Sequence, residues 1–326
     1  MFALSRERSL TDHNELIKIG VIGVGTMGFN HVRIISQLPL DVELVGIADC
    51  DEGRCRQVAA NFNTQSFFDH KDLLKEGLDG VVIAVPTKFH AEVALDVLNA
   101  GFGVLVEKPI ASTEQEAHAI IACARAVQKP LLVGHVERFN PAIDTLKSRL
   151  NDEKVISIAI TRVGPFPQGI GDVGVVLDLG VHDIDLIEYL AGAPIRDVYA
   201  LTRSADGKLE DTALLQFKTE NGILASINTN WITPFKMREV DVATSDKFVK
   251  TDLIGQSVEE NSHYDIRGAY TVQPVPVPRE EPLRREILHF ADCLRGTEEP
   301  LVTGEAGMRA IKVALMCLRG QEVGTL

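Results

Sequence analysis

Over its first 135 positions the chain alternates two patterns. Short runs at residues 16–22, 42–48, 80–85, 103–106 and 131–134 are almost wholly apolar and rich in valine and isoleucine. Between them, apolar residues recur every three or four positions, as on one face of a helix. The first such stretch reaches about Leu38. A second spans 91–100 and stops before Gly101, a helix C-terminal signal. A third opens at Thr113-x-x-Glu116, a capping box in which hydroxyl and carboxylate satisfy the first free amides, and runs to about Val127. A strand with no polar alternation is buried on both faces. Such strands alternating with helices predict a parallel sheet, doubly wound, with helices on each side.

The pattern changes after His135. Residues 155–161, 197–202, 212–217 and 223–230 alternate apolar with polar positions, and turn dipeptides such as Asp206-Gly207 and Asn221-Gly222 join several of them. Asparagine-glycine supplies the positive φ angles of a tight hairpin. These features predict a large, mainly antiparallel sheet with one face open, a surface that suits self-association. Residues 177–191 read as a helix stopped by Gly192 and Pro194. Residues 273–278 read as an extended linker or edge, and 284–294 and 305–318 as closing helices. The expected organisation is therefore α/β, with a Rossmann domain over 1–136 and a substrate-binding and oligomerisation domain over 137–326. Residues 1–16, which lack the apolar core of a signal peptide, are expected to form a mobile arm ahead of the first strand.

Composition narrows the function classes. A chain of 326 residues suffices for two cores. Its formal net charge of −13 offers no basic field to a nucleic acid or an anionic membrane, so neither is expected as a partner. No apolar stretch reaches the roughly 20 residues of a membrane span. Five scattered cysteines without a Cys-x-x-Cys point to reduced thiols and a cytoplasmic location, and to neither a disulfide framework nor a zinc site.

Candidate chemistry follows the strand ends. Gly23-Val-Gly25-Thr26-Met27-Gly28 comes directly after a strand and opens a helix. The first glycine makes the turn, the second admits a pyrophosphate and the third lets helix and strand pack closely. Asp49 ends the next strand, where a carboxylate bonds ribose hydroxyls and repels a 2′-phosphate, which favours NAD. Arg54 and Arg56 lie close enough to soften that preference. Lys108, in Glu107-Lys108-Pro109, ends a later strand, with Pro109 holding it extended. An ammonium there can stabilise an alkoxide. A solvated lysine paired with Glu107 is the plainer alternative. Pro86, Thr87 and His90 close the preceding strand on the same edge as further cofactor contacts, and Glu107 and Lys108 are expected to join them, Glu107 orienting the nicotinamide ribose or moderating the lysine charge. Asp178 and His182 stand four apart, so a continuous helix puts them on one face, with the carboxylate holding the imidazole as proton acceptor. A simple helix salt bridge and a metal pair with Asp183 or Asp185 compete with that reading. Arg138, Asn140 and Arg162 are candidate contacts for an anionic substrate. Together these residues point to alcohol oxidation.

The glycine loop, Val85-Pro-Thr87 with His90, Glu107-Lys108-Pro109 and Asp178-Leu-Gly-Val-His182-Asp-Ile-Asp185 resemble the glucose–fructose oxidoreductase/inositol dehydrogenase/rhizopine catabolism (Gfo/Idh/MocA) oxidoreductases from Ile17 onward. The resemblance implies catalytic roles for Lys108, His182 and Asp178, NAD as cofactor, and dimers or tetramers formed through the second sheet. Residues 135–142, 162–167 and 172–178 are most similar to the branch that oxidises the C3 hydroxyl of UDP-N-acetylglucosamine. A downstream aminotransferase there converts the 3-keto sugar toward lipid A or surface glycans. A free-sugar or inositol dehydrogenase and a non-catalytic cofactor-binding regulator are the alternatives. Whether Lys108 or His182 is the base is left open by the sequence.

Overall fold

The computed structural model describes residues 16–166, 173–205, 209–262 and 267–319. Except for Leu16, the arm expected over 1–16 lies outside the described residues, as does the Asp206-Gly207 turn. The strands of the first half are β1 (Ile17–Ile22), β2 (Val42–Ala48), β3 (Gln65–Phe67), β4 (Gly80–Ile83), β5 (Gly103–Glu107) and β6 (Leu131–Gly134). Its helices are α1 (Thr26–Ser36), α2 (Glu52–Phe62), α3 (His70–Leu73), α4 (His90–Asn99) and α5 (Glu114–Val127). The strands form one parallel sheet in the order β3-β2-β1-β4-β5-β6. Chain order reverses between β1 and β4, and a crevice opens beyond the strand ends at such a switch point. Every residue of β4, β5 and β6 is buried, as expected for strands covered on both faces. The capping box of α5 forms as read, with Thr113 accepting from the Glu116 amide and Glu116 from the Thr113 amide.

The second half begins with α6 (Pro141–Arg149) and β7 (Val155–Pro165), then α7 (Val181–Ala191). It continues through β8 (Ile195–Arg203), β9 (Thr212–Thr219), β10 (Leu224–Asn230), β11 (Ile232–Thr244), β12 (Lys247–Asp252), β13 (Ser257–Ser262) and β14 (Val272–Val275). The eight strands make one sheet, ordered β14-β13-β12-β11-β7-β10-β9-β8. All its pairings are antiparallel except β7 with β10. Asn221-Gly222 turns the β9–β10 hairpin, with Gly222 at φ +89°. Ile158, Ile160, Phe217, Ile227, Val240 and Val249 face inward onto α6 and α7. Leu201, Leu214, Leu224 and Phe248 project from the other face.

The last two helices, α8 (Pro282–Leu294) and α9 (Gly304–Arg319), do not stay with the sheet that precedes them. Ile287, Phe290 and Ala291 of α8 are wholly buried in the core of the first sheet. Each large apolar side chain so buried contributes roughly 1.5–3 kcal/mol. Helix α9 sends Ala306 and Ile311 into that core and Ala310, Val313 and Ala314 into the other. Helix α9 thus ties the two sheets together. A cut at residue 136 follows the chain, but α8 packs on the side that comes before the cut.

Candidate active site

A cleft of about 900 Å³ runs along the carboxyl ends of β1, β2, β4 and β5 and reaches the segment ahead of α7. Gly23, Gly25, Met27, Asp49, Pro86, Thr87, His90, Glu107 and Lys108 all line it, and Thr26 and Gly28 do not. Each glycine has its own steric reason. Gly23 sits at φ +85°, and a Cβ there would lie 2.7 Å from the Ala84 carbonyl. A Cβ on Gly28 would fall 1.8 Å from the Gly23 oxygen, so Gly28 sets how closely α1 approaches β1. Gly25 has nothing within 4 Å of where its Cβ would be, and no side chain caps α1. An open approach to uncapped amides fits a pyrophosphate. Asp49 accepts from the Val24 amide at 2.8 Å and from Arg54 at 2.9 Å. Burial pushes its pKa up, but the Arg54 hydrogen bond and the two backbone amides outweigh burial and keep it low. The residues present therefore fit NAD, with Asp49 at the adenosine ribose. Cys50, Phe68, Asp69 and His70 also line this end. The sequence reading missed most of that wall because a three-residue β3 has no measurable period; Asp69, which caps α3 through the Lys71 amide, was the available signal.

At the other end, Lys108 Nζ donates to the Asp178 carbonyl at 2.7 Å and to Asp178 Oδ1 at 3.0 Å. The peptide bond from Lys108 to Pro109 is cis. Asp178 was expected to hold His182, and here the structure corrects the sequence. Residues Val176–Gly180 form a π-helical turn, not the first turn of an α-helix. A wider turn breaks the i, i+4 stacking of a regular helix. Asp178 consequently faces Lys108, and no hydrogen bond or ion pair joins it to His182. The His182 ring is partly exposed, with its Nδ1 enclosed and without a protein hydrogen bond. Burial lowers its pKa well below the ordinary imidazole value, and the charges of Lys108 and Arg162 lower it further. His182 is thus a neutral imidazole at neutral pH, suited to accept a proton.

Glu107 is buried, accepting from His31 Nε2 at 2.7 Å. Burial opposes its ionisation, but His31 and the charge of Lys108 prevail and its pKa is lowered. His90 reaches the cleft wall, yet both its ring nitrogens point at carbonyls, Val85 O at 2.9 Å and Pro109 O at 2.8 Å. It links the β4 and β5 loops to each other, and burial lowers its pKa.

The three candidate anion contacts are placed differently from the sequence reading. Arg138 is buried, clamped on Asp185 at 2.6 and 2.7 Å and stacked over Tyr189. Asn140 is buried as the cap of α6, bonded to the Ala142 amide, Glu137 and the Leu253 carbonyl. Arg162 bonds Asp183 at 2.8 Å and Glu137 at 3.0 Å. Their charges or polar atoms are committed inside the protein, because a cation leaving water must find an internal carboxylate. None of the three lines the cleft, and neither do His182 and Arg238; Lys108 and Asp178 do. Arg238 of β11 shares Glu137 with Arg162, bonding it at 3.0 Å, and its side chain is 38% exposed. Its charge also lowers the His182 pKa. The sequence reading missed it because a register irregularity between Ile232 and Met237 breaks the period-2 pattern of β11.

Comparison with known proteins identifies relatives over nearly the whole chain. The profile described as "Oxidoreductase family, NAD-binding Rossmann fold" matches residues 17–135, and that described as "GFO/IDH/MocA C-terminal domain" matches 167–249. The UDP-N-acetylglucosamine 3-dehydrogenase of Acidithiobacillus ferrooxidans is 30% identical over 307 residues, 92% of this chain and 95% of that protein. Its solved structure superposes with a TM-score of 0.87 at 28% identity, covering 94% of this chain and 98% of that one. An inositol 2-dehydrogenase of Corynebacterium glutamicum is 28% identical over 328 residues, 93% of each chain.

Proposed function

The chain belongs to the Gfo/Idh/MocA family of NAD-dependent oxidoreductases, and from that premise we propose that it oxidises the C3 hydroxyl of a UDP-sugar, UDP-N-acetylglucosamine, to the 3-keto sugar. The observation that carries the chemistry is the Lys108–Asp178 pair at the nicotinamide end of a cleft that begins at the glycine loop. The likeness over nearly the whole chain to a UDP-N-acetylglucosamine 3-dehydrogenase supports the choice of sugar.

Bound NAD supplies the hydride acceptor. The protein supplies the rest. Asp178 holds the Lys108 ammonium where the reacting oxygen comes to rest, and the ammonium stabilises the developing alkoxide. His182, neutral because it is buried beside cations, takes the hydroxyl proton. That division makes His182 the base and Lys108 the electrostatic stabiliser. The part-exposed Arg238 replaces Arg138 and Arg162 as the candidate for the anionic part of the substrate. A 3-keto sugar carries the carbonyl that an aminotransferase requires, which places such an enzyme downstream, toward diamino-sugars of lipid A or surface glycans. The outward leucines of the second sheet are read as the face on which a second copy docks.

The test is absorbance at the NADH wavelength with protein, NAD and UDP-N-acetylglucosamine, with and without an aminotransferase and amino donor to draw off product. A rise that requires the UDP-sugar is expected. NAD binding without any rise would remove the nucleotide sugar. The second reading, a polyol dehydrogenase, rests on the 28% identity to an inositol 2-dehydrogenase and is tested with myo-inositol in the same cuvette.

A further inference from the structure

With Asp178 spent on Lys108, something else must hold the His182 ring. Five buried polar atoms, one on His182 and four on three neighbouring residues, lack a protein hydrogen-bond partner: His182 Nδ1, both ring nitrogens of His135, Arg162 Nη2 and Asp183 Oδ2. Buried polar atoms without partners are rare, and a contiguous group of them asks for a reason. His135 is the member that touches the His182 ring. It follows β6, is 1% exposed, and meets the His182 ring edge to face, with centroids 5.8 Å apart and planes at 90°. Behind it, Nδ1 lies 4.0 Å from Asp185 Oδ2, and Asp185 is locked by the two-pronged contact with Arg138. Arg138 is in turn bonded to the Leu301 carbonyl and covered by Tyr189.

We propose that His135 is the positioning residue for His182: its ring, backed by the Asp185–Arg138 pair, walls in one side of the imidazole and fixes its orientation. The assignment rests on the reading of His182 as the proton acceptor. It gives a purpose to residues that the sequence set aside or assigned to substrate. Arg138 and Asp185 are braced elements of the wall, two contacts removed from the chemistry. An edge-to-face ring contact is directional, so it limits rotation of the partner ring where an aliphatic neighbour would not. The wall also keeps water from the side of His182 that it covers, which favours the neutral ring among its cations. Lys108 just after β5, Arg162 from β7 and Arg238 from β11 act on it, with Asp178, Asp183 and Asp185 on its own segment and Glu137 beyond Arg162.

The experiment uses full-length protein carrying 13C-labelled histidine, followed by NMR across pH, with the His182 resonance assigned by its loss in His182→Asn. His135→Ala removes the wall and admits water, so the His182 titration is expected to rise toward the ordinary imidazole value of about 6.5. His135→Phe keeps a ring of similar shape and is expected to titrate with the wild type. Misplacing a reacting group by about 1 Å through a mutation away from the chemistry can cost about 10²-fold in rate. That loss is expected in kcat for His135→Ala, with NADH binding by fluorescence unchanged, and recovery is expected in His135→Phe. A wild-type titration curve in His135→Ala, or a shift of equal size in His135→Phe, would overturn the proposal. The titration needs no turnover, so failure of UDP-N-acetylglucosamine as substrate is distinguishable from failure of the wall.

Discussion

At the scale of single residues, the site works by assigning charges to partners. Lys108 and Asp178 pair with side chains only 16% and 15% exposed, so the pair acts in a partly desolvated setting where its field is strong. Removing one preorganised donor from such a site costs about 10²–10³ in rate. Lys108→Ala should therefore lower kcat by that factor while NADH fluorescence titration gives an unchanged affinity; an unaltered kcat would take Lys108 out of the chemistry. On the proposed role, His182 sets the pH dependence. Its folded pKa lies below the ordinary value of about 6.5, so the base is in its active, neutral form at neutral pH and is lost only as pH falls through that lowered value. The acid limb of kcat/KM is expected below 6.5 and should disappear in His182→Asn; a limb above 7 would contradict this role.

At the scale of elements, two details of helix geometry decide the site. The π turn at Val176–Gly180 turns Asp178 toward Lys108 and leaves His182 to the start of α7. Helix α8 brings a cost as well as apolar packing. Glu286 on that helix is wholly buried, and neither carboxyl oxygen has a protein hydrogen bond. Burial raises its pKa well above the ordinary carboxyl value, and the nearby Glu107 charge adds to that. A carboxyl whose folded pKa is raised stabilises the fold fully below its unfolded pKa. That stability is lost as pH rises toward the folded pKa, at about 1.4 kcal/mol per unit of separation. Glu286→Gln keeps the neutral shape and cannot ionise on unfolding. Its melting temperature should exceed that of the wild type at pH 8, and the difference should shrink toward pH 5. A difference that grows on acidification would mean Glu286 is ionised in the fold.

At the scale of the whole molecule, one sheet is sealed by helices on both sides and the other has an outward face on which exposed leucines stand among polar residues. Leu201, Leu214 and Leu224 are each more than half exposed and project from the same side of neighbouring strands. Leu201 and Leu214 are directly paired across β8 and β9, a local apolar spot on which a second copy can dock. Light scattering after size exclusion is expected to give a dimer or larger species for the wild type and a smaller one for Leu214→Glu. A wild-type monomer at every concentration would leave the face without a second copy.

Local rules determined what could be read without coordinates. Apolar runs of four to seven residues, a glycine triplet in register with β1 and α1, and an acid at the end of β2 each depend on near neighbours in the chain. The parallel sheet, the cofactor end of the cleft and the antiparallel sheet were legible for that reason. Lys108, His182 and Asp178 were also visible as chemistry-bearing residues, but their pairing was not. Arg138 and Arg162 looked like substrate contacts because sequence shows a charge without its partner; Asp185, Asp183 and Glu137, which neutralise them, reach them only through tertiary packing. Folding also carried α8 back onto the first sheet and set His135 against His182, contacts 47 residues apart in sequence for the second pair. Sequence determined which groups are present and the elements that carry them. Only the tertiary structure decided which charge each group meets, because burial obliges every charge to find a partner and the nearest partner in space is seldom the nearest in the chain.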